Sequence, residues 1–332
     1  MRRLVFLTQR VDSDDPVLGA TVAQIRALAG RVDEVAVLAQ SARETPLPEN
    51  VSVRTFGARS RLARAAWFER ELARTLRPRP LGVVAHMIPL YVLFAAPLVR
   101  PRGIPLVLWY THWRGHATLR AAERLATAVT SVDRRSFPLS SPKVRAIGHG
   151  IDVAEFDCAA RDGGRPLRVL ALGRYSPAKG LETILRAAHE AGVDLEVYGT
   201  AQSELERAHR SELEALGFVL GDAVPRPELG RLLAGADVLV NNMRAGSPDK
   251  VVYEAAAACL PVLASNPVFD ELFEGFPLFF ERDDPESLAR RLRWFASLDP
   301  EERSRIGRTL HERVAAHHST ESWADGIMAA VT

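Results

Sequence analysis

Apolar runs of strand length alternate along the chain with stretches of helical spacing. Residues 3–7 (RLVFL) form a short apolar run and predict a buried strand. A loop carrying Asp12, Asp14, Asp15 and Gly19 follows, then helical spacing from about Thr21 to Leu28. EVAVLA (34–39) and VSVRTF (51–56) predict two more strands, and residues 59–77 an amphipathic helix. LGVVAHM, IPLVLWYTH (104–112) and AVTSV (128–132) continue the strand series, with a helix through LRAAERLA between the last two. KVRAIGHGID (143–152) closes it with a strand and a glycine-rich turn. After a polar connector, CAARDGGRP (158–166), the grammar restarts with the strand LRVLALGR (167–174) and the helix GLETILRAAHEAG. DLEVYGT, GFVLGDAV (a short strand and loop), DVLVNN and PVLAS supply strands, and ELGRLLAGA and KVVYEAAAACL helices. Such alternation predicts parallel sheets covered on both faces, with ligands at the carboxyl ends of the strands. The fold class is α/β, as two doubly wound domains with a cleft between them. Residues 1–157 and 158–318 are the expected domains, and 319–332 a C-terminal helix from roughly Glu321 to Val331.

One stretch raises a membrane question. Leu81 to Val99 carries no charge over 19 positions, long enough for a span. His86, Pro89 and Pro97 interrupt it, so a buried strand, a turn and a short buried helix account for it better. The N-terminal LVFL is too short for the apolar stretch of a signal peptide.

Composition narrows the function. The 332 residues are 47% hydrophobic and 25% charged, enough apolar surface for a sizeable core. A net charge of +2 gives no ground for nucleic acid as a partner. Two cysteines, Cys158 and Cys259, cannot form a disulfide scaffold, which suits a reducing cytoplasm. Only Lys143, Lys179 and Lys250 among the 43 basic residues are lysine. A chain that otherwise uses arginine keeps lysine where a compact ammonium is wanted.

The chemistry-bearing loops are selective about what they exclude. No G-x-G-x-x-G follows a strand, GHGIDV (148–153) failing at its last glycine, and no GxxxxGK[ST] occurs. No HExxH or paired-cysteine motif points to zinc, and no metal is expected. Asp12-Ser13-Asp14 has the form of a D-x-D metal motif, but its place before a helix reads as a loop or helix-capping cluster. Gly173-Arg174-Tyr175-Ser176-Pro177-Ala178-Lys179-Gly180 places two cations at the carboxyl end of a buried strand, which suits a diphosphate. In Gly246-Ser247-Pro248-Asp249-Lys250-Val251-Val252-Tyr253-Glu254, Ser247 or Asp249 can cap the following helix, whose first N–H groups favour an anion. Lys250 in that first turn makes more sense beside phosphate than beside the helix dipole. Glu254, one turn on, can accept from ribose hydroxyls or simply face solvent.

Taken together, these segments resemble glycosyltransferase family 4, retaining enzymes of the two-domain GT-B fold with Rossmann-like domains. GRYSPAKG is similar to that family's G-R-[LF]-x-x-x-K-G, and PDKVVYEAAAACLPVLAS to its helix-and-strand segment. PLVLWYTHW and GHGID resemble its histidine-bearing strand and the turn before its linker. The resemblance implies that Arg174 and Lys179 grip the donor diphosphate, with Gly173 in the same loop. It implies that Glu254 holds the ribose and that the helix start at Asp249, Lys250 and Val251 faces phosphate. His112 would contact a donor-sugar hydroxyl, and Gly19 would let substrate approach the backbone. His149, Arg114, His116 and Asp133 are further candidates for the acceptor side.

Two positions depart from the family pattern. The first glutamate of its E-x7-E falls at Gly246, and its usual glycine after the helix is Cys259, read here as a small buried filler. The implied activity is retaining transfer from a nucleoside-diphosphate sugar, UDP- or GDP-linked by preference, with no cofactor. The acceptor would be a glycan, a lipid-linked or a small-molecule hydroxyl. A catalytically weak partner subunit and a nucleotide-sugar epimerase are the alternatives. Arg59, Arg61, Arg64, Arg70, Arg74, Arg77 and Arg79, with Trp67 and Phe68, leave open a peripheral contact with the inner face of the membrane. A solvated helix covering the sheet accounts for them better, since Glu69 and Glu71 offset part of the charge.

Overall fold

The apolar runs pair as parallel strands in two separate sheets. In this computed structural model residues 1–15, 18–57, 60–159 and 166–332 are described. Arg59 and residues 160–165 of the polar connector lie outside them. The chain divides into two compact units, residues 1–152 with 317–332, and residues 153–316.

The first unit holds β1 (Arg3–Val11), β2 (Glu34–Ala42), β3 (Val51–Thr55), β4 (Gly82–His86), β5 (Leu106–Trp109), β6 (Ala128–Ser131) and β7 (Val144–Ala146). They form a seven-stranded parallel sheet in the order β3-β2-β1-β4-β5-β6-β7. Leu4, Val5, Phe6 and Leu7 of β1 are all buried, as a strand covered on both faces requires. β1 runs beyond its apolar core to Val11, because Arg10 and Val11 keep pairing with Ser41 and Ala42. The crossover helices are α1 (Ala20–Ala29), α2 (Arg61–Thr75), α3 (Pro89–Val99) and α4 (Ala117–Leu125). The uncharged stretch is thus β4 and α3, joined at Met87 with φ +63°. Among the described residues no helix is long and apolar enough to cross a membrane. α2 buries Phe68, Leu72 and Leu76 against Phe56 and Tyr91 and turns Trp67, Arg70 and Arg74 outward, so this basic helix covers the sheet.

The second unit holds β8 (Arg168–Arg174), β9 (Asp194–Thr200), β10 (Val238–Asn241) and β11 (Val262–Ala264), all parallel in the order β11-β10-β8-β9. GFVLGDAV is not a strand: only Gly221 bridges to Tyr198. The helices are α5 (Leu181–Ala191), α6 (Glu204–Ala215), α7 (Arg226–Gly235), α8 (Lys250–Ala257), the short α9 (Asp270–Phe273), α10 (Pro285–Ser297) and α11 (Pro300–His317). α6 is opened by a capping box in which Ser203 and Glu206 satisfy each other's backbone N–H. The last helix, α12 (Thr320–Val331), belongs to the first unit and buries Trp323 against Phe6 and Trp109.

Strand order places the sites. In the second sheet consecutive strands diverge between β8 and β10, the topological switch point at which doubly wound sheets bind ligands. The first sheet has its switch point between β1 and β4.

Candidate active site

Lys179 and Asp249 meet at the switch point of the second unit. The chain leaves β8 through Gly173, whose φ of +139° suits only glycine, and the Lys179 side chain lies where a Cβ on Gly173 would stand. The Lys179 ammonium forms a salt bridge with Asp249 and lies 3.4 Å from the carbonyl oxygen of Leu172. Asp249 also accepts from Asn241 Nδ2 at 2.6 Å. Asn242, buried beside it, donates to the Gly180 carbonyl and to Asp283, fixing the turn after Lys179.

These contacts correct one expectation. Asp249 occupies the N-cap position of α8, yet its carboxylate makes no cap bond, being spent on Lys179 and Asn241. Ser247 does not cap the helix either; its carbonyl accepts from Asn266. The first turn of α8 therefore has no side-chain cap, and Lys250 and Val251 begin it. An anion placed there meets helix N–H groups with no competing side-chain cap.

Glu254 is the buried carboxylate of the site, 3% exposed, so it does not face solvent. Arg226, at the start of α7, forms a salt bridge with it, and Lys250 Nζ lies 3.5 Å from the same Oε1. Arg226 also pairs with Glu155 and lies over the Phe156 ring. Burial works against the Arg226 charge, but the two carboxylates outweigh it and raise its pKa. Sequence reading missed Arg226, Asn241 and Asn242. The twin amides ending DVLVNN, a buried strand, were a usable signal; Arg226 had none, lying 28 residues from its partner.

Arg174 is turned elsewhere. Its guanidinium lies 3.2 Å from Glu206, the buried capping carboxylate of α6, so the second unit does not pair Arg174 with Lys179. Gly246 has φ +77°, which favours glycine over the glutamate of the family pattern.

The first-unit candidates mostly serve their own loops. His116 is the N-cap of α4, accepting from Leu119 N–H at Nδ1. Asp133 caps the turn at Arg134–Ser136 and holds Arg135. His112, after β5, stacks on Trp113 and accepts from the N–H of Arg114, whose exposed guanidinium lies over Trp113. His149 lies near two imidazoles, the buried His86 and the half-buried His318. Burial, then the neighbouring His149, pushes both down to about 3, with His317 adding to the effect at His318. A Cβ on Gly19 would stand 2.7 Å from the carbonyl oxygens of Ser13 and Asp15, so the turn entering α1 admits only glycine. Asp12 and Asp15 are engaged with Arg43 and Arg10, and Asp15 accepts from Leu18 N–H. With Asp14 and Ser41 they line a cavity of about 390 Å³ at the carboxyl ends of β1 and β2.

The cysteines overturn the reading of Cys259 as a filler. Cys158 and Cys259 form a disulfide, their Cα atoms 5.0 Å apart. Cys259 closes α8 in a Schellman motif, with Cys259 N–H donating to Ala256 and Leu260 N–H to Ala255. Its φ of +53° is where glycine is preferred and costs a side-chain-bearing residue about 1 kcal/mol.

A family model described as glycosyl transferase-like matches residues 176–329. A sucrose-phosphate synthase from Thermosynechococcus elongatus superimposes with a TM-score of 0.75 at 16% identity, covering 98% of this chain and 97% of that one. Anabaena HepE in complex with UDP and glucose gives 0.75 at 16%, covering 98% of each chain. A UDP-forming trehalose-phosphate synthase from Burkholderia xenovorans gives 0.70 at 17%, covering 100% of this chain and 99% of that one. No curated protein matches the sequence. At these identities the likeness is one of fold, and the chain has the GT-B fold, built from two Rossmann-like α/β units.

Proposed function

We propose that the protein is a retaining glycosyltransferase, of the family 4 type its motifs resemble. It would move a sugar from a nucleoside-diphosphate sugar, UDP- or GDP-linked, to an acceptor hydroxyl. One observation carries this reading. Two lysines, a buried glutamate and an uncapped helix start converge at the switch point of a Rossmann-like sheet. The glycosyl transferase-like match over 176–329 supports it.

In this reading Asp249 holds the place of the substrate's charge. A diphosphate at the start of α8 replaces Asp249 as the partner of Lys179, and Arg174 leaves Glu206 to join it. A carboxylate accepts about four hydrogen bonds, so Glu254 can take ribose hydroxyls while Arg226 holds it. Arg174, Lys179 and the helix N–H groups then stabilise the leaving diphosphate without a metal being invoked. The acceptor oxygen attacks the anomeric carbon on the face the diphosphate leaves, and its proton passes to a departing phosphate oxygen. For the first unit the resemblance assigns His112 to a sugar hydroxyl, and the cavity lined by Arg10, Asp12 and Arg43 suits a hydroxyl-rich acceptor.

The test is a panel of UDP- and GDP-sugars with glycan, lipid-linked and small-molecule acceptors, read by diphosphate release and product NMR. The expected product keeps the donor's anomeric configuration and is formed far more slowly by Lys179→Met. An inverted product would refute the mechanism. Gly246 favours a second reading, a partner subunit that binds nucleotide without turnover, which the same panel separates.

A further inference from the structure

The disulfide lies beside the candidate site, on the same two segments. Glu155 and Cys158 are three residues apart, and each fastens that segment to α8 or its C-terminal turn. Glu155 does so through Arg226, which holds Glu254 in the middle of α8. Cys158 does so through Cys259, directly after the α8 cap. The two sulfurs differ in access: Cys158 is exposed, whereas Cys259 is 5% exposed. α11 closes over the buried one, since a Cβ on Gly307 would stand 2.1 Å from the Cys259 carbonyl oxygen. One turn along the same helix, His311 Nδ1 lies 3.6 Å from Cys158 Sγ and 2.7 Å from the Ala257 carbonyl oxygen. A carbonyl only accepts, so that nitrogen carries the proton and donates it to Ala257, with the sulfur at the longer distance beside the same N–H.

We propose that Cys158–Cys259 is a thiol–disulfide exchange site for small thiols of the glutathione class, and that its state sets the grip on α8. An exposed Cys158 gives an external thiolate access, and a ring N–H beside its sulfur can support the thiolate released there. An external thiolate attacks Cys158 Sγ, forming a mixed disulfide and releasing the Cys259 thiolate, which takes up a proton. A second thiolate attacks the external sulfur, forming the small disulfide and releasing the Cys158 thiolate beside His311. Two external thiols are oxidised and the protein disulfide is reduced to two thiols. The same three side chains come within 4.8 Å of one another, as a metal site would need. His311 Nδ1 donates its proton to the Ala257 carbonyl and so offers no lone pair to a metal, which favours exchange over metal ligation. The coupling to α8, unlike the exchange itself, rests on the donor-site reading above.

The full chain is titrated with reduced and oxidised glutathione, quenched with an alkylating agent and mapped by mass. The expected result is reversible reduction through a glutathione adduct on Cys158, with His311→Gln slowing the reaction and changing its pH profile. Cys158→Ser, an exposed and small change, serves as a permanently open form. The affinity for UDP or GDP is then compared between the oxidised protein, the reduced protein and Cys158→Ser. Both open forms are expected to bind at least about fivefold more weakly, the low end of coupling between distinct sites. A disulfide inert to glutathione, an adduct confined to Cys259, or equimolar zinc uptake that blocks reoxidation would each overturn the exchange site. Equal nucleotide affinity in all three forms would overturn the coupling alone. Exchange at Cys158 with no nucleotide binding in any form would support the exchange site and overturn the donor-site reading instead.

Discussion

The candidate residues of the two units have opposite lives. In the second unit Lys179 pairs with Asp249, and Arg226 and Lys250 pair with Glu254, so partners come from different loops and helices. In the first unit His116 and Asp133 are engaged with the backbone of their own turns. A polar residue that caps its own helix is explained by that helix. A charged cluster drawn from distant segments into a buried place gains little stability for its desolvation cost, so it calls for another explanation. The contrast is the reason for proposing the donor chemistry at the switch point of the second unit, while His116 and Asp133 already have a local structural role.

The predictions probe that contrast in order of size. Lys179→Met should lower the transfer rate by about 10²-fold or more, the usual cost of deleting a group that stabilises developing charge, as steady-state kinetics would show. Arg226→Met takes a salt-bridge partner from the buried Glu254 and should cost about 3 kcal/mol in a denaturant titration. Adding Glu254→Gln to it should recover much of that loss, since the buried charge is gone. A third test uses the histidines of the first unit. His86 and His318 sit at about 3 in the fold against 6.5 unfolded, so the unfolded chain takes up protons first as the pH falls. Their stability contribution is intact above pH 6.5 and is lost below it, at up to about 1.4 kcal/mol per pH unit for each group. Melting curves between pH 7 and 5 should show it, with a shallower slope in His318→Gln. Smallest of all, His116→Ala should cost about 1 kcal/mol for a lost cap and leave nucleotide binding unchanged.

Much of this was legible in the sequence. Buried strands announce themselves as apolar runs, so all the strands except the false one in GFVLGDAV were placed, although β1 and β2 extend through polar residues that only pairing reveals. α6 (ELERAHRSELEA), α9, α10 and α11 were not read, although Leu288, Leu292 and Phe295 of α10 recur at helical spacing. Lysine rarity was informative. Lys143 donates to three carbonyls at the end of α4, and Lys179 and Lys250 sit in the candidate site. The partners were not legible: the Lys179–Asp249 pair spans 70 residues and the Cys158–Cys259 pair 101. Motif spacing shows which loops carry charge, and only the packing of strands shows which charges meet.

The central claim is that the second unit holds a nucleoside diphosphate between Lys179, the start of α8 and Glu254. The most direct measurement is the thermal shift of the full chain with UDP, GDP, ADP, CDP and dTDP, with and without Mg²⁺, for the wild type and Lys179→Met. The account predicts that one diphosphate raises the melting temperature without Mg²⁺, by an amount set by its saturation, and that the shift disappears in Lys179→Met. No shift from any of them at millimolar concentration, or a shift that survives the substitution, would contradict it.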